Sequence, residues 1–365
     1  MAGGRMLVLG AVLTMGLAGS VYSASAAPMS LAAAQDLAGQ RVIYSYPGLV
    51  PPDSLLQRIR AGQAAGVIFF GENISSTTQI RSVVAQLRAA AAQSPVHRPL
   101  LLMTDQEGGR VRRLPGEPVL SQKQIGQSAD PSAQVRAAGT GAGANLAGVT
   151  MNVNLAPVLD VYRQSGDLMD QFGRSYSMNA GAVATLGGNF VSAQQATGVA
   201  ATVKHFPGLG SASSSQNTDT RPVTLSVGLS TLRAVDEAPY RTAIAAGAKL
   251  VMLSWAVYPA LDAALPAGLS PVVVQGELRQ RNGFTGVTIT DALEAGALQA
   301  FGTTGNRAVL AARAGADLVL ASARNVSQGD AAVAALAAAL TNGSLGQTEF
   351  TAAVARVDAL RAGLN

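Results

Sequence analysis

The feature that most constrains the fold of this 365-residue chain is an alternation, repeated eight times, of a short apolar run with a longer amphipathic segment. Such runs, of five or six residues each, are typical of strands that are buried on both faces, as in a parallel sheet. We therefore predict eight parallel strands, at residues 41–46, 66–70, 100–104, 150–154, 201–205, 250–254, 286–290 and 317–321.

The segments between these strands have the period of amphipathic helices, and several end at a glycine just before the next strand. Eight β-then-α units predict an α/β protein with a TIM-type (β/α)8 barrel, formed as a single domain by residues 27–365. A doubly wound open sheet is the alternative that the pattern leaves open. The predicted helices are 53–61, 78–92, 180–196, 232–246, 271–280 and 304–314, with closing helices within 330–364.

Residues 1–26 have the pattern of a secretory signal peptide. Arg5 precedes the apolar stretch 6–21, and Ala24-Ser25-Ala26 fits a small-residue cleavage site. An uncleaved membrane anchor is the alternative, although three glycines interrupt the stretch. We expect cleavage near Ala27, no stable membrane anchor, and a protein that is secreted or held in the cell envelope.

The composition excludes several kinds of site. The chain has no cysteine, so it forms no disulfide, thiolate nucleophile or lipid-modified cysteine, and with two histidines it is a poor candidate for a zinc site. The net charge is +5, but the basic residues are scattered, and the densest group is Arg110-Val111-Arg112-Arg113. We therefore predict no nucleic-acid binding.

Polar side chains follow several of the predicted strands, at the end of a barrel where active sites lie. Carboxylates, cations and a tryptophan that offers an aromatic platform would suit a carbohydrate ligand. These residues are Asp105, Glu107 and Arg110 after strand three, Asn154 and Asp160 after strand four, Lys204 and His205 at strand five, Ser254 and Trp255 at strand six, and Asp291 after strand seven.

Three segments carry a resemblance to a known family: 105–111 (DQEGGRV), 154–161 (NLAPVLDV) and 204–208 (KHFPG). In this order, and each at a strand end, they resemble glycoside hydrolase family 3, in its single-domain β-N-acetylglucosaminidase (β-N-acetylhexosaminidase) branch. The resemblance covers nearly the whole mature chain. It implies a retaining glycosidase that removes β-linked N-acetylglucosamine from a glycan or peptidoglycan fragment, without a metal or organic cofactor.

The resemblance also implies roles for individual residues. Asp291 matches the catalytic nucleophile, which forms a covalent glycosyl intermediate, although an aspartate after a strand can instead cap a helix. Glu107, Arg110 and Asp160 are expected to orient neighbouring groups. The positions that match substrate-binding residues are Asp105, Arg113, Arg174, Lys204 and His205; surface ion pairs for the two arginines and a backbone-bonded histidine are the alternatives.

One part of the family pattern is missing. The resemblance implies an acid/base histidine, paired with an aspartate two residues earlier, in the loop after residues 204–208, but these positions are Asn217 and Ser215. The two histidines of the chain cannot supply the group, because His97 precedes strand three at the opposite end of the barrel and His205 occupies another motif position.

Three hypotheses follow from the missing dyad. Asp219 replaces the histidine as acid/base, which requires a raised carboxyl pKa, although Asn217-Thr218-Asp219-Thr220 also suits a turn. Alternatively, the enzyme is slow and cleaves substrates with good leaving groups. In the third, the chain is a catalytically impaired, secreted glycan-binding protein. The sugar and its linkage stay open, and a monomer is the default expectation.

Overall fold

The barrel predicted from the apolar runs is confirmed. The structure, a computed structural model, describes residues 1–4 and 29–364, so most of the predicted signal peptide, residues 1–26, lies outside the described residues. Eight parallel strands form one closed sheet, which rules out the doubly wound alternative. The strands are β1 (Val42–Tyr44), β2 (Gly66–Ile68), β3 (Leu101–Thr104), β4 (Val153–Asn154), β5 (Ala200–Phe206), β6 (Leu250–Leu253), β7 (Val287–Ala292) and β8 (Leu318–Leu320).

Helices surround the barrel, and none among the described residues combines the length and apolar character needed to cross a membrane. They are α1 (Leu31–Gly39), α2 (Asp53–Arg60), α3 (Thr77–Ala91), α4 (Gln122–Gly126), α5 (Pro131–Gly148), α6 (Leu168–Gln171), α7 (Ala180–Gln195), α8 (Leu229–Thr231), α9 (Ala238–Ala245), α10 (Thr304–Ala314), α11 (Val326–Thr341) and α12 (Gln347–Ala362).

Two predicted helices have a wider geometry than expected. Leu232–Asp236 and Val272–Arg281 are π-helical, and the first leads directly into α9. Pro239 explains the first case, because it has no amide proton and its ring crowds the carbonyl group four residues earlier, so the turn that precedes α9 cannot continue into it as a regular α-helix. The sequence period identifies both segments as helical but does not distinguish the two geometries.

Two antiparallel ribbons extend from the carboxyl ends of the barrel strands. Gln106–Gly108 pairs with Val111–Arg112 after β3, and Val257–Tyr258 pairs with Asp262–Pro266 after β6. The first ribbon carries the DQEGGRV motif, so the local fold brings residues before and after its glycines side by side.

Helix α12 closes the opposite end of the barrel. Val357 and Leu360 pack in the same apolar cluster as Leu101 and Leu250, which begin β3 and β6. The guanidinium of Arg361 donates to the carbonyl oxygen of Pro99, 2.6 Å from Nε. The barrel interior is therefore filled by side chains at this end, and a ligand has access from the other end.

Asp317, just before β8, is the buried centre of this closure. It has no exposed surface and accepts hydrogen bonds from Arg279 at 2.6 Å, from Arg356 of α12 at 2.8 Å and from the amide of Thr288 at 2.8 Å. A buried carboxylate that binds two guanidinium groups ties the last helix to β7 and to the π-helical segment.

We predict that Asp317→Asn lowers the free energy of unfolding by about 3 kcal/mol or more, because the amide leaves two guanidinium groups without a counter-ion. Asp330→Asn is the matched control. Asp330 pairs with Arg58 on the surface, 2.8 Å apart, so its loss should cost less than about 1 kcal/mol. Urea unfolding of both variants measures the difference, and equal losses would contradict the role assigned to Asp317.

Candidate active site

The carboxyl ends of the strands surround a cavity of about 520 Å³. The structure brings every residue that the sequence analysis singled out as catalytic or substrate-binding to this one cavity. They are Asp105, Arg113, Arg174, Lys204, His205, Asp219 and Asp291. His97 lies on the surface in the connection that leads into β3, at the closed end, as predicted.

A buried charge cluster links β3 to β5. The Nζ atom of Lys204 lies 2.7 Å from both Asp105 and Glu107, and Arg174 donates two hydrogen bonds to Glu107, at 2.8 and 2.9 Å. Burial alone would raise the pKa of Glu107, but Arg174 and Lys204 lower it to about 2. Glu107 therefore stays ionised and fixes both cations, while Asp105 and Lys204 line the cavity.

The ribbon after β3 holds Asp105 and Arg113 next to each other. The amide of Arg113 donates to the carbonyl of Asp105 at 3.2 Å. Gln106 braces the ribbon, because its amide binds Asn154 at 2.9 Å and its side chain exchanges two hydrogen bonds with the backbone of Leu114. The hydrogen bonds of Gln106 and Arg113 thus fix the backbone at Asp105.

A second buried pair orients His205. Its Nδ1 atom lies 2.7 Å from Asp160, which has no exposed surface and also accepts the amide of Leu209 at 2.6 Å. The peptide bond between Lys204 and His205 is cis. Since Asp160 engages Nδ1, Nε2 is the ring nitrogen that is left to bind a ligand in the cavity.

Asp291 is the penultimate residue of β7 and is half-buried at the cavity. Its carboxylate accepts the amide of Ala292 at 2.7 Å. Burial raises the pKa of Asp291, the nearby His205 opposes this rise, and the negative charge of Asp219 adds to it. The alternative role as a helix cap is wrong, because the next α-helix, α10, is capped by Thr303.

The prediction that Trp255 forms an exposed aromatic platform is wrong. Its side chain is buried, with 1% exposure, and its indole N–H donates to the carbonyl of Ala292 at 2.9 Å. Trp255 therefore supports the segment that carries Asp291 from behind. The sequence places Trp255 at a strand end but does not show which way the indole turns.

The loop that carries Asp219 contains the turn that its sequence predicts. The amide of Asp219 binds the side-chain oxygen of Asn217 at 2.9 Å, so Asn217 organises the turn. The Asp219 carboxylate is exposed, lines the cavity, and makes no hydrogen bond within residues 29–364. Ser215 is exposed and lies outside the cavity lining.

This loop is docked on the segment that follows Asp291. The amide of Gly296 donates to the carbonyl of Asp219 at 2.8 Å, and the amide of Ala297 donates to that of Thr218 at 3.0 Å. A Cβ atom at position 296 would overlap the carbonyl group of Thr220. Glycine at position 296 therefore allows the two backbones to approach closely. The loop that carries Asp219 is in this way held against the segment that follows Asp291.

Several residues of the cavity wall were not identified from the sequence, among them Phe70, Glu294 and Arg324. Phe70 lies just beyond β2, Glu294 follows β7, and Arg324 follows β8. Position after a strand was the available signal, but it does not distinguish residues that face the cavity from those that turn away. Across residues 1–4 and 29–364, no three acidic or histidine side chains are grouped as a metal site requires.

A (β/α)8 barrel has its active site at the carboxyl ends of its strands, and the carboxylates, guanidinium groups and imidazole around this cavity suit a carbohydrate ligand. Residues 49–360 match the model of the glycosyl hydrolase family 3 N terminal domain. The chain therefore belongs to glycosyl hydrolase family 3.

Relatives within the family support this assignment. A protein of Arthroderma benhamiae, named an uncharacterized secreted glycosyl hydrolase, is 47% identical over 94% of this chain and 99% of its own length. A beta-hexosaminidase of Xanthomonas axonopodis pv. citri is 35% identical over 70% of this chain and 75% of its own length. The structure of a family 3 beta-N-acetylglucosaminidase from Paenibacillus sp. has a TM-score of 0.84 at 34% identity, covering 90% of this chain and 62% of that one.

We predict that Gly296→Ala separates the Asp219 loop from the segment after Asp291, because the added methyl group overlaps the backbone of Thr220. Hydrogen exchange should become faster at the amides of residues 296 and 297, whose acceptors move away. Gly148→Ala is the matched control, since a Cβ atom there meets nothing within 4 Å. Unchanged exchange in Gly296→Ala would contradict the docking argument.

Proposed function

We propose that this protein is a retaining β-N-acetylhexosaminidase that uses Asp291 as the nucleophile and Asp219 as the acid/base. The observation that carries the proposal is the placement of both carboxylates at one cavity that the Asp105–Lys204 pair also lines. The names of the bacterial relatives support N-acetylhexosamine as the sugar. Carbohydrate is therefore the proposed partner of the cavity.

The first step forms a covalent intermediate. Asp105, Arg113, Arg174, Lys204 and His205 bind the sugar, Asp105 by accepting hydrogen bonds from its hydroxyl groups. Asp291 attacks the anomeric carbon, and the bond to the leaving oxygen breaks as Asp219 transfers its proton to that oxygen. The leaving alcohol departs neutral, and the sugar is held as an ester of Asp291.

The second step releases the sugar. Asp219, now ionised, accepts a proton from a water molecule while the water oxygen attacks the anomeric carbon and the bond to Asp291 breaks. Two inversions restore the β configuration, and both carboxyl groups return to their starting protonation states.

Two features support Asp219 in this role. It lies in the same loop as the positions where the resemblance implies the missing dyad, and its backbone is fixed relative to the Asp291 segment. Its carboxylate is exposed and makes no hydrogen bond within residues 29–364 that would orient it, and this observation supports the alternative: a family member with impaired catalysis that binds glycans. Location outside the cytoplasm and a monomeric state complete the proposal; the name of the fungal relative supports secretion.

We predict that Asp219→Asn lowers kcat/KM for a natural disaccharide of N-acetylglucosamine by about 100-fold or more, because a poor leaving group needs general acid catalysis. An aryl glycoside with a good leaving group should still form the intermediate. Added azide, which needs no base, should then release a β-glycosyl azide. Product analysis by NMR and steady-state kinetics measure both effects.

The matched control is Glu294→Gln. Glu294 is another exposed carboxylate at the same cavity, but it already binds Ser322 and Gln328, so its substitution should preserve activity on both substrates. Asp291→Asn should abolish both. If Asp219→Asn keeps full activity, the acid/base assignment is wrong. If the parent protein binds the sugar and turns over neither substrate, the glycan-binding alternative replaces the proposal.

The pH profile provides a separate test. Burial raises the pKa of Asp291, and Asp291 must be ionised to attack, so the acidic limb of kcat/KM should lie above the usual range for an aspartate. Asp219→Asn should leave this limb in place, because a protonated Asp219 and an asparagine are both uncharged. The alkaline limb of kcat/KM for the natural disaccharide, which reports the loss of the acid proton, should disappear in Asp219→Asn. An alkaline limb that survives in this variant would contradict the acid/base assignment.

A further inference from the structure

The cavity mouth has a second pair of residues, beyond the ends of the two strands that flank β1. Phe70 lies just beyond β2 and Arg324 follows β8, so the two flank β1. In the closed order of eight strands, β1 lies opposite β5, which carries Lys204 and His205. The guanidinium of Arg324 stacks over the ring of Phe70, 4.4 Å from its centroid.

The backbone of Arg324 is held in a conformation that non-glycine residues rarely adopt. Its φ is 57°, in the left-handed region. Its amide donates to the hydroxyl oxygen of Ser45 at 2.9 Å, and Ser45 in turn donates to the carbonyl of Ala321 at 2.9 Å. Buried contacts from β1 and β8 therefore maintain a strained residue at the mouth, and strain of this kind is often associated with function.

The side chain of Arg324 has unused donors. About half of its surface is exposed, and its nearest carboxylate, that of Glu72, is 3.4 Å away. Within residues 29–364 its guanidinium makes no hydrogen bond. A stacked, exposed guanidinium beside an aromatic ring offers hydrogen-bond donors and an apolar surface together, and these suit the hydroxyl groups and C–H face of a sugar ring.

We propose that Phe70 and Arg324 form a subsite for the leaving-group sugar of the glycan. The inference rests on the proposed function, which places the sugar that is removed against Asp105 and Lys204 and its anomeric carbon at Asp291. Strand β7, which carries Asp291, is adjacent to β8, so a group that leaves the anomeric carbon on the side away from Lys204 extends toward Arg324.

The test measures binding in the full-length Asp291→Asn background, in which the sugar is not consumed. By calorimetry, the β-1,4-linked disaccharide of N-acetylglucosamine should bind about 10-fold more tightly than the monosaccharide, because it also contacts Arg324. Arg324→Gly should reduce this preference to less than about 2-fold and leave the affinity for the monosaccharide unchanged. Phe70→Leu, which keeps apolar volume but removes the ring, should reduce the preference in part.

Glycine at position 324 adopts a positive φ without strain, so the thermal midpoint of Arg324→Gly should be no lower than that of the parent. His97→Gly is the matched control, because His97 also has a positive φ, 50°, at the opposite end of the barrel, and its substitution should preserve the preference for the disaccharide. A preference that survives Arg324→Gly, or equal weakening of both sugars, overturns the subsite. If neither sugar binds to the background protein, the proposed function fails and the subsite with it.

Discussion

The site depends on the burial of Glu107 between two cations. Removing a carboxylate, an ammonium and a guanidinium from water costs several kcal/mol for each ion, and their mutual contacts must offset that cost. Lys204 on β5 and Arg174 in the segment after β4 both pair with Glu107, which follows β3. These three parts of the barrel must keep this arrangement if no buried charge is to lose its counter-ion. The side chain of Asp105 shares Lys204 and is oriented by the same constraint.

The loop between β5 and Asp219 is restrained at both ends. Near its start, Asp160 binds His205 and the amide of Leu209, and near its end the backbone of residues 218 and 219 is paired with the segment after Asp291. The second restraint requires the close approach of the two backbones at Gly296. In this chain, then, the general position of Asp219 is determined by backbone contacts, while its carboxyl group stays accessible to solvent.

The eight strands could be predicted because a strand covered on both faces has a continuous apolar sequence. The cavity residues could be predicted because the ends of parallel strands meet at one edge of the barrel, where the motif residues lie. Other features depend on contacts between distant segments, which a local pattern does not contain. The inward turn of Trp255, whose indole binds the carbonyl of Ala292, belongs to this group. Phe70 and Arg324 were missed for the same reason, since their stacking joins residues that are far apart in the sequence.

The closure of the barrel by α12 affects the order in which the chain can complete its fold. Strand β1 pairs with β8, and Arg41 and Asp317, which help to close the sheet, are 276 residues apart. Until α12 has docked, the apolar residues at the closed end of the barrel are open to water and to other chains. A fragment that ends before α12 therefore exposes a ring of strand ends, a surface prone to aggregation and recognised by chaperones and proteases.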